Sequence, residues 1–360
     1  MADAQDSKSC DRKIMRVRLS PAAPKIDFVH SQTHNVRMMR FEQMGVAQAE
    51  QDPEFESYVM RGIAEAIRRV SDRFEKAKNP QDNLEFHNTD HTEGDVVPRT
   101  ERILQLLKEN GVQVSERDVL IGKLAAAWHD VIQKWEPVAT EKNGITKTIR
   151  KRALGDNERA SAEEVIAYAK EMSEEAQREI FSEEDLQKIR AAIDATIPGF
   201  SVANPEAPAE EQAKTVNQPN LKEDSPLVAR AVALADLGSA GMGGPESFRR
   251  DGDTLFREEN LDIMQKLARI HELPNEERES IRARILGWSK FQAEFARGRE
   301  MLLQKELAPI EPEGAREAVK KLFNQFEASI TTARETAARR ETLSFEDLVK
   351  DIGYSIEYVH

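Results

Sequence analysis

The stretch "EFESYVMRGIAEAIRRVSDRF", residues 54–74, spaces Phe55, Val59, Ile63, Ile67, Val70 and Phe74 three or four positions apart. Side chains so spaced share one face of an α-helix, whose turn holds about 3.6 residues. The same period recurs down the chain with its usual punctuation. "PRTERILQLLKENG" (98–111) opens on a proline and closes on Asn110-Gly111, a start and a stop signal. "SERD" (115–118) and "SEED" (182–185) read as capping boxes, the second followed by Leu186, Ile189, Ile193 and Ile197 on one face. Ser225-Pro226 precedes the helical run "LVARAVALADLG", and the long amphipathic "ESIRARILGWSKFQAEFARGREMLLQKEL" comes later. A final pair of helices is expected over 314–338 and 344–352. The chain has no series of alternating strands and no 20–50-residue repeat, so the expected fold class is all-α.

Two segments escape the helical period. In the N-terminal arm, residues 1–53, "MRVRLS" alternates like a short strand before prolines 21 and 24 break the pattern. Residues 201–224, "SVANPEAPAEEQAKTVNQPNLKED", are rich in Pro, Ala, Glu and Asn, which reads as a flexible loop. The main body is expected over 54–305, with a C-terminal helical extension over 306–360.

At 360 residues the chain can bury a sizeable core as one large domain or two ordinary ones. Its net charge of −13 gives no bulk attraction for nucleic acid or an anionic membrane. The single cysteine, Cys10, rules out an internal disulfide and a cysteine-built zinc site. "MADAQDSKSC" lacks the apolar core of a signal peptide, and no stretch reaches transmembrane length. A cytoplasmic protein is the expectation.

Chemistry concentrates in three places. "LEFHNTDHTEGDV" (84–96) carries His87 and His91 four positions apart; "LAAAWHDVIQKWE" (124–136) ends an apolar run on His129-Asp130; and "ARAVALADLGSAG" (229–241) holds Asp236 as its only acid. A buried carboxylate is unfavourable unless it is paired or metal-bound. Each feature alone is weak, since a lone Asp near a helix end can simply cap the next segment. Taken together, two imidazoles and two carboxylates form a mixed N/O set suited to a divalent Mn, Fe, Co, Ni or Zn ion, with Mg also within range.

At these residues the chain resembles the HD-domain metal-dependent phosphohydrolases, whose H…HD…D signature is matched by His91, His129-Asp130 and Asp236. "FHNTDHTEGDV" is similar to the "YHNxxHxxDV" segment of several branches, the cyclic-nucleotide phosphodiesterases among them. "DNERASAEEVIAYAKE" and "FSEEDLQKIRAAIDAT" resemble the "NEE-SA … aT" segment of one HD phosphohydrolase subgroup, and "LADLG" that subgroup's "DADLaiLG". The likeness covers roughly residues 54–270. It implies an HD-like helical bundle with His91, His129, Asp130 and Asp236 as metal ligands, Asp130 taking part in catalysis as well. It implies a metal-activated water as nucleophile, His87 as proton donor to the leaving oxygen, and Asn88 as a group orienting a ligand. Two-metal members place further histidines between the His-Asp pair and the last Asp; this chain has none between His129 and Asp236, so one ion is expected. The second phosphodiesterase motif is replaced by "HDVIQKWEP".

The surrounding candidates each have a plainer reading. Glu158 is a candidate catalytic residue that could equally be an acid favoured by a helix N-terminus. Thr196 is a substrate-binding candidate that could bond the carbonyl four residues back. Arg150, in the basic run "KTIRKR" (147–152), and Lys134, one turn past Asp130, are candidate phosphate contacts; the run could also be a solvated helix face. Arg249 and Arg250 follow a glycine-rich break and could close on substrate. The expected activity is hydrolysis of a phosphoester or phosphoanhydride in a small, nucleotide-like substrate. Its rivals are a cyclic-nucleotide phosphodiesterase and a catalytically inactive helical scaffold.

Overall fold

The helical period of residues 54–74 becomes α1 (Pro53–Val70) in a computed structural model that describes residues 53–79, 82–142, 144–206, 208–209 and 212–355. The expected N-terminal arm, with its strand, lies outside the described residues apart from Pro53. After α1 come a π-helical turn (Asp90–Val96), α2 (Val97–Glu109), α3 (Glu116–Trp128), α4 (Asp156–Glu175), α5 (Glu183–Asp194) and α6 (Leu227–Asp236). The chain closes with α7 (Gly244–Glu259), α8 (Leu261–Leu267), the 33-residue α9 (Asn275–Leu307), α10 (Glu313–Lys320), α11 (Phe326–Glu341) and α12 (Phe345–Asp351). Among the described residues no helix is long and apolar enough to cross a membrane.

α3 is the centre. Val119, Ile121, Leu124, Ala125, Ala126, Ala127 and Trp128 are all buried, and a helix apolar on every side belongs in the interior. It packs against α1, α2, α4, α5 and α6. Ser115 and Asp118 close the expected capping box at its start. At the crossing with α1, a Cβ on Gly62 would stand 2.7 Å from Leu124 Cδ1, so only glycine allows this approach. The carbonyl of Gly62 there accepts the indole N–H of Trp128 at 2.9 Å.

The described chain is mostly helical, consistent with the expected all-α class, and adds two small antiparallel hairpins. β1 (Trp135–Lys142) pairs with β2 (Ile145–Arg152), and β3 (Gly199–Ala203) with β4 (Ala213–Asn217). The run "KTIRKR" is therefore strand rather than a helix face. Val138, Thr140, Ile145 and Ile149 favour extended backbone, and Asn143-Gly144 falls between the paired ends Lys142 and Ile145, the strongest short-range hairpin signal. Charged residues interleaved on both strands hid it. The second hairpin lies largely within the stretch expected to be a flexible loop. It is fastened to α9, where Thr215 Oγ1 donates to the Phe295 carbonyl at 3.1 Å and a Cβ on Gly298 would meet Thr215 Cβ at 2.5 Å.

The helix expected over 314–338 is two, α10 and α11, parted by a short turn at Lys321–Phe323. Residues of both join the larger core of α1–α6. A smaller core gathers Phe256, Ile263, Leu267, Ile281, Ile285, Leu348, Val349 and Ile352. Beside it Arg340, 1% exposed, donates to both Asp253 oxygens at 2.9 and 2.7 Å, to Asp351 at 2.8 Å and to Ser289 at 3.0 Å, tying α7, α9, α11 and α12 together. Removing one partner from a buried ionic cluster leaves the others uncompensated, so Arg340→Met should lower the unfolding free energy by about 3–5 kcal/mol. Urea unfolding followed by circular dichroism measures this, and a loss below about 1 kcal/mol would mean that the two carboxylates rehydrate.

Candidate metal centre

Three separate segments end at one point. His91 lies in the π-helical turn, held there by Asn88, whose Oδ1 accepts the His91 backbone N–H at 3.0 Å. His129-Asp130 directly follows α3, and Asp236 is the last residue of α6. Asp130 Oδ2 stands 3.0 Å from His129 Nε2 and 3.6 Å from His91 Nε2. Asp236 Oδ1 stands 3.5 Å from His129 Nε2 and 3.6 Å from His91 Nε2. Neighbouring donors on an ion with bonds of about 2.1 Å at right angles lie about 3 Å apart, so these separations are close to those of a coordination shell. The donor atoms of His91, His129 and Asp236 all lie within 4.8 Å of one another, a grouping able to hold a metal ion.

The donors are aimed by their neighbours. His129 Nδ1–H donates to the Ala126 carbonyl at 2.7 Å, which turns the Nε2 lone pair toward the cage. Both His129 Nε2 and His91 Nε2 are buried without a hydrogen-bond partner. Gln133 Nε2 donates to Asp130 Oδ1 at 2.8 Å, and Gln218 Nε2 to Asp236 Oδ2 at 3.3 Å. Buried Ser161 and Asn157 fix the segment after Asp130, since their side-chain oxygens accept the Ile132 and Lys134 backbone N–H groups at 3.0 and 2.8 Å.

Burial opposes ionisation of Asp130 and Asp236, yet the facing imidazoles hold both carboxyls below the ordinary range, Asp236 down to about 2. Burial likewise opposes a charged His129, and the two carboxylates outweigh it and raise that ring well above its usual value. The cage thus draws positive charge into itself. A divalent cation meets that demand directly, and the residues fit one.

His87 stands beside the cage, its Nε2 4.0 Å from Asp130 Oδ2. It precedes the π-helical turn instead of sharing a helix with His91, and the two rings lie 6.1 Å apart. Its Nδ1–H donates to Glu258 Oε1 at 2.6 Å, and its Nε2 accepts from Arg152 Nη1 at 2.6 Å. Glu258 Oε2 also accepts the backbone N–H groups of Phe86 and His87 at 2.8 and 3.2 Å.

The other candidates separate. Glu158 and Thr196 line the cavity beside the cage. Glu158 also fills its plainer role at the start of α4, where its Oε2 accepts the Gly155 N–H at 2.6 Å, and Thr196 Oγ1 donates at 2.7 Å to the carbonyl of Ile193, three residues back where four was expected. Burial, reinforced by Asp130, pushes the Glu158 carboxyl up. Lys134 is exposed and outside the cavity lining, because the helix ends before it and the chain turns into β1. Arg150 is also outside the lining, buried with its guanidinium 4.3 Å over the Trp135 ring. The arginine of that basic run which reaches the cavity is Arg152. Arg249 and Arg250 turn to Asp253 and Asp251 on their own helix.

Sequence reading missed Arg152 and Glu258. Arg152 shares a strand face with Arg150 and is set apart by its place at the end of β2, beside His87; Glu258 sits in "FREEN" and looks like an ordinary charged residue of an amphipathic helix. No family model, curated protein or solved structure matches the chain.

Burial raises the Glu258 carboxyl, but His87, Arg152 and the Phe86 N–H outweigh that and hold it at about 2 against an ordinary 4.5. A carboxyl depressed on folding contributes stability above its unfolded value, lost as pH falls toward its folded one. Wild type should therefore exceed Glu258→Gln by on the order of 3 kcal/mol at neutral pH. That gap should begin to shrink below about pH 4.5, the ordinary value. Urea midpoints of both proteins between pH 7 and pH 3 test it; a gap constant across that range would place the effect outside Glu258 ionisation.

Proposed function

We propose that this chain is a metal-dependent phosphohydrolase of the HD type. It holds one divalent cation between His91, His129, Asp130 and Asp236 and cleaves a phosphoester or phosphoanhydride of a small substrate. The observation that carries this reading is the pair of buried, unpartnered imidazole nitrogens facing two carboxylates 3.0–3.6 Å away, Asp130 buried and Asp236 half-buried. When bound, such an ion supplies Lewis acidity and lowers the pKa of a water molecule.

The chain's own groups supply the rest. Arg152 is the cavity-lining cation beside His87, and its planar fork suits a phosphate. Its engagement by phosphate frees His87 Nε2. The freed nitrogen takes up a proton from solvent, and Glu258 keeps the resulting imidazolium oriented while His87 passes that proton from Nε2 to the leaving oxygen.

Purified protein should carry about one equivalent of divalent metal by elemental analysis and release phosphate from members of a panel of phosphomonoesters, nucleotides and cyclic nucleotides. Chelation should stop the release. Neither metal nor turnover would make the chain a helical binding protein. His91→Ala should lose the metal, the activity and part of the melting temperature, because metal binding to the native state is linked to folding. His87→Ala should keep the metal while turnover falls by roughly 10²–10⁴-fold, less for substrates with good leaving groups. The opposite pattern would exchange the two roles.

A further inference from the structure

The cavity that opens from the cage encloses about 200 Å3, more than a phosphate needs. Its two ends differ in chemistry. His129, Asp130, Asp236, His87 and Arg152 stand at one end; the rest of the wall is mostly hydrocarbon. α9 presents Trp288, Phe291 and Phe295 at the i, i+3, i+7 positions of a single face. Neighbouring ring centroids along that face are 5.7 and 6.1 Å apart, and α7 adds Phe248, stacked on Phe295 at 5.9 Å. With Phe86 and Phe200, six aromatic residues line one cavity in a chain that is only 6% aromatic.

Two apolar side chains carry this wall out to the solvent. Phe200, on the β3–β4 hairpin, is 80% exposed, and Leu154 is 41% exposed; both line the cavity. An apolar lip continuous with an apolar cavity is covered only when something apolar enters.

We infer that the substrate is a phosphate ester of an amphiphilic alcohol, its phosphate at the cage and its hydrocarbon chain along the aromatic wall. This rests on the phosphohydrolase reading. The hydrogen-bonding groups of the wall favour hydrocarbon over a nucleoside in that position, because the wall's carboxylates are already engaged: Glu158 by the Gly155 N–H, Asp251 by Ser239 and Arg250, and Glu259 by Arg152 at 3.8 Å. The Trp288 indole N–H goes to the Gly252 carbonyl at 2.9 Å, Ser239 Oγ to Asp251 at 2.5 Å, and Thr196 Oγ1 to Ile193. Gln292 is the one amide among the described lining residues. A nucleoside brings several sugar hydroxyls and ring nitrogens, and each one buried without a partner weakens binding by about tenfold. A hydrocarbon chain brings none.

The test uses the full-length protein with its metal and a series of n-alkyl phosphates from methyl to decyl, kept below their micellar concentrations. The kcat/KM for phosphate release should climb by up to about fourfold per methylene buried, then level off once the wall is filled. Adenosine 5′-monophosphate should fall well below octyl phosphate. Phe200→Ser and Leu255→Gln, at partly or largely exposed positions of the wall, should flatten the climb. Calorimetric binding of octyl phosphonate, which is not hydrolysed, gives a second readout and should be weakened by the same substitutions. A flat chain-length series, or a nucleotide preferred over octyl phosphate, would overturn the inference while leaving the phosphohydrolase reading intact. Octyl phosphonate binding at this wall without turnover of any ester would do the reverse, keeping the amphiphilic ligand and removing the hydrolase.

Discussion

Two carboxylates face two buried imidazoles at one place, and their negative charge is offset either by protons on the rings or by a cation that the group could hold. Asp130 follows α3 and Asp236 ends α6, and a carboxylate taken out of water is unfavourable alone. Their side-chain oxygens nevertheless stand 3.0–3.6 Å from the same two ring nitrogens. Everything around them serves that arrangement. α3 delivers His129-Asp130 from the buried end of a central helix, the Ala126 carbonyl sets the ring tautomer, and Gln133 and Gln218 occupy the carboxylate oxygens that face away.

The elements that break the helical pattern meet this centre from outside. β2 brings Arg152 to His87, while the β3–β4 hairpin, clamped to α9 through Thr215, brings Phe200 to the mouth. α7 contributes Glu258 to His87 from its final turn and, five residues earlier, Asp253 to the buried Arg340 cluster. One helix thereby links the orientation of a candidate proton donor to the integrity of the smaller core.

Local chemistry was readable where a residue's own neighbours explain it. The apolar run before His129-Asp130 and the lone acid in "ARAVALADLG" announced burial, and burial of a carboxylate demands a partner; Ser115, Ser182 and Pro98 marked helix starts through interactions with the next few residues. What escaped notice depends on distant pairing. β2 is charged on nearly every second residue, so its strand character rests on β1 more than on a buried face. The choice of Arg150 over Arg152 could be corrected only by knowing where that hairpin lies. Glu258 finds His87 171 positions away, and nothing near it in the chain hints at that.

The π-helical turn that carries His91 has a bearing on how the site tolerates inherited change. Such a turn holds one residue more than an α-turn, and each residue on a helix advances the direction of its side chain by about 100°. Deleting a single codon between Asp90 and Val96 would let the turn relax to ordinary α geometry and swing His91 away from its three companions. Substitutions in the exposed positions of this turn can accumulate one at a time, whereas its length has to be kept. Insertions and deletions should thus be the rarest class of variation to survive in this short stretch, even where its individual residues drift.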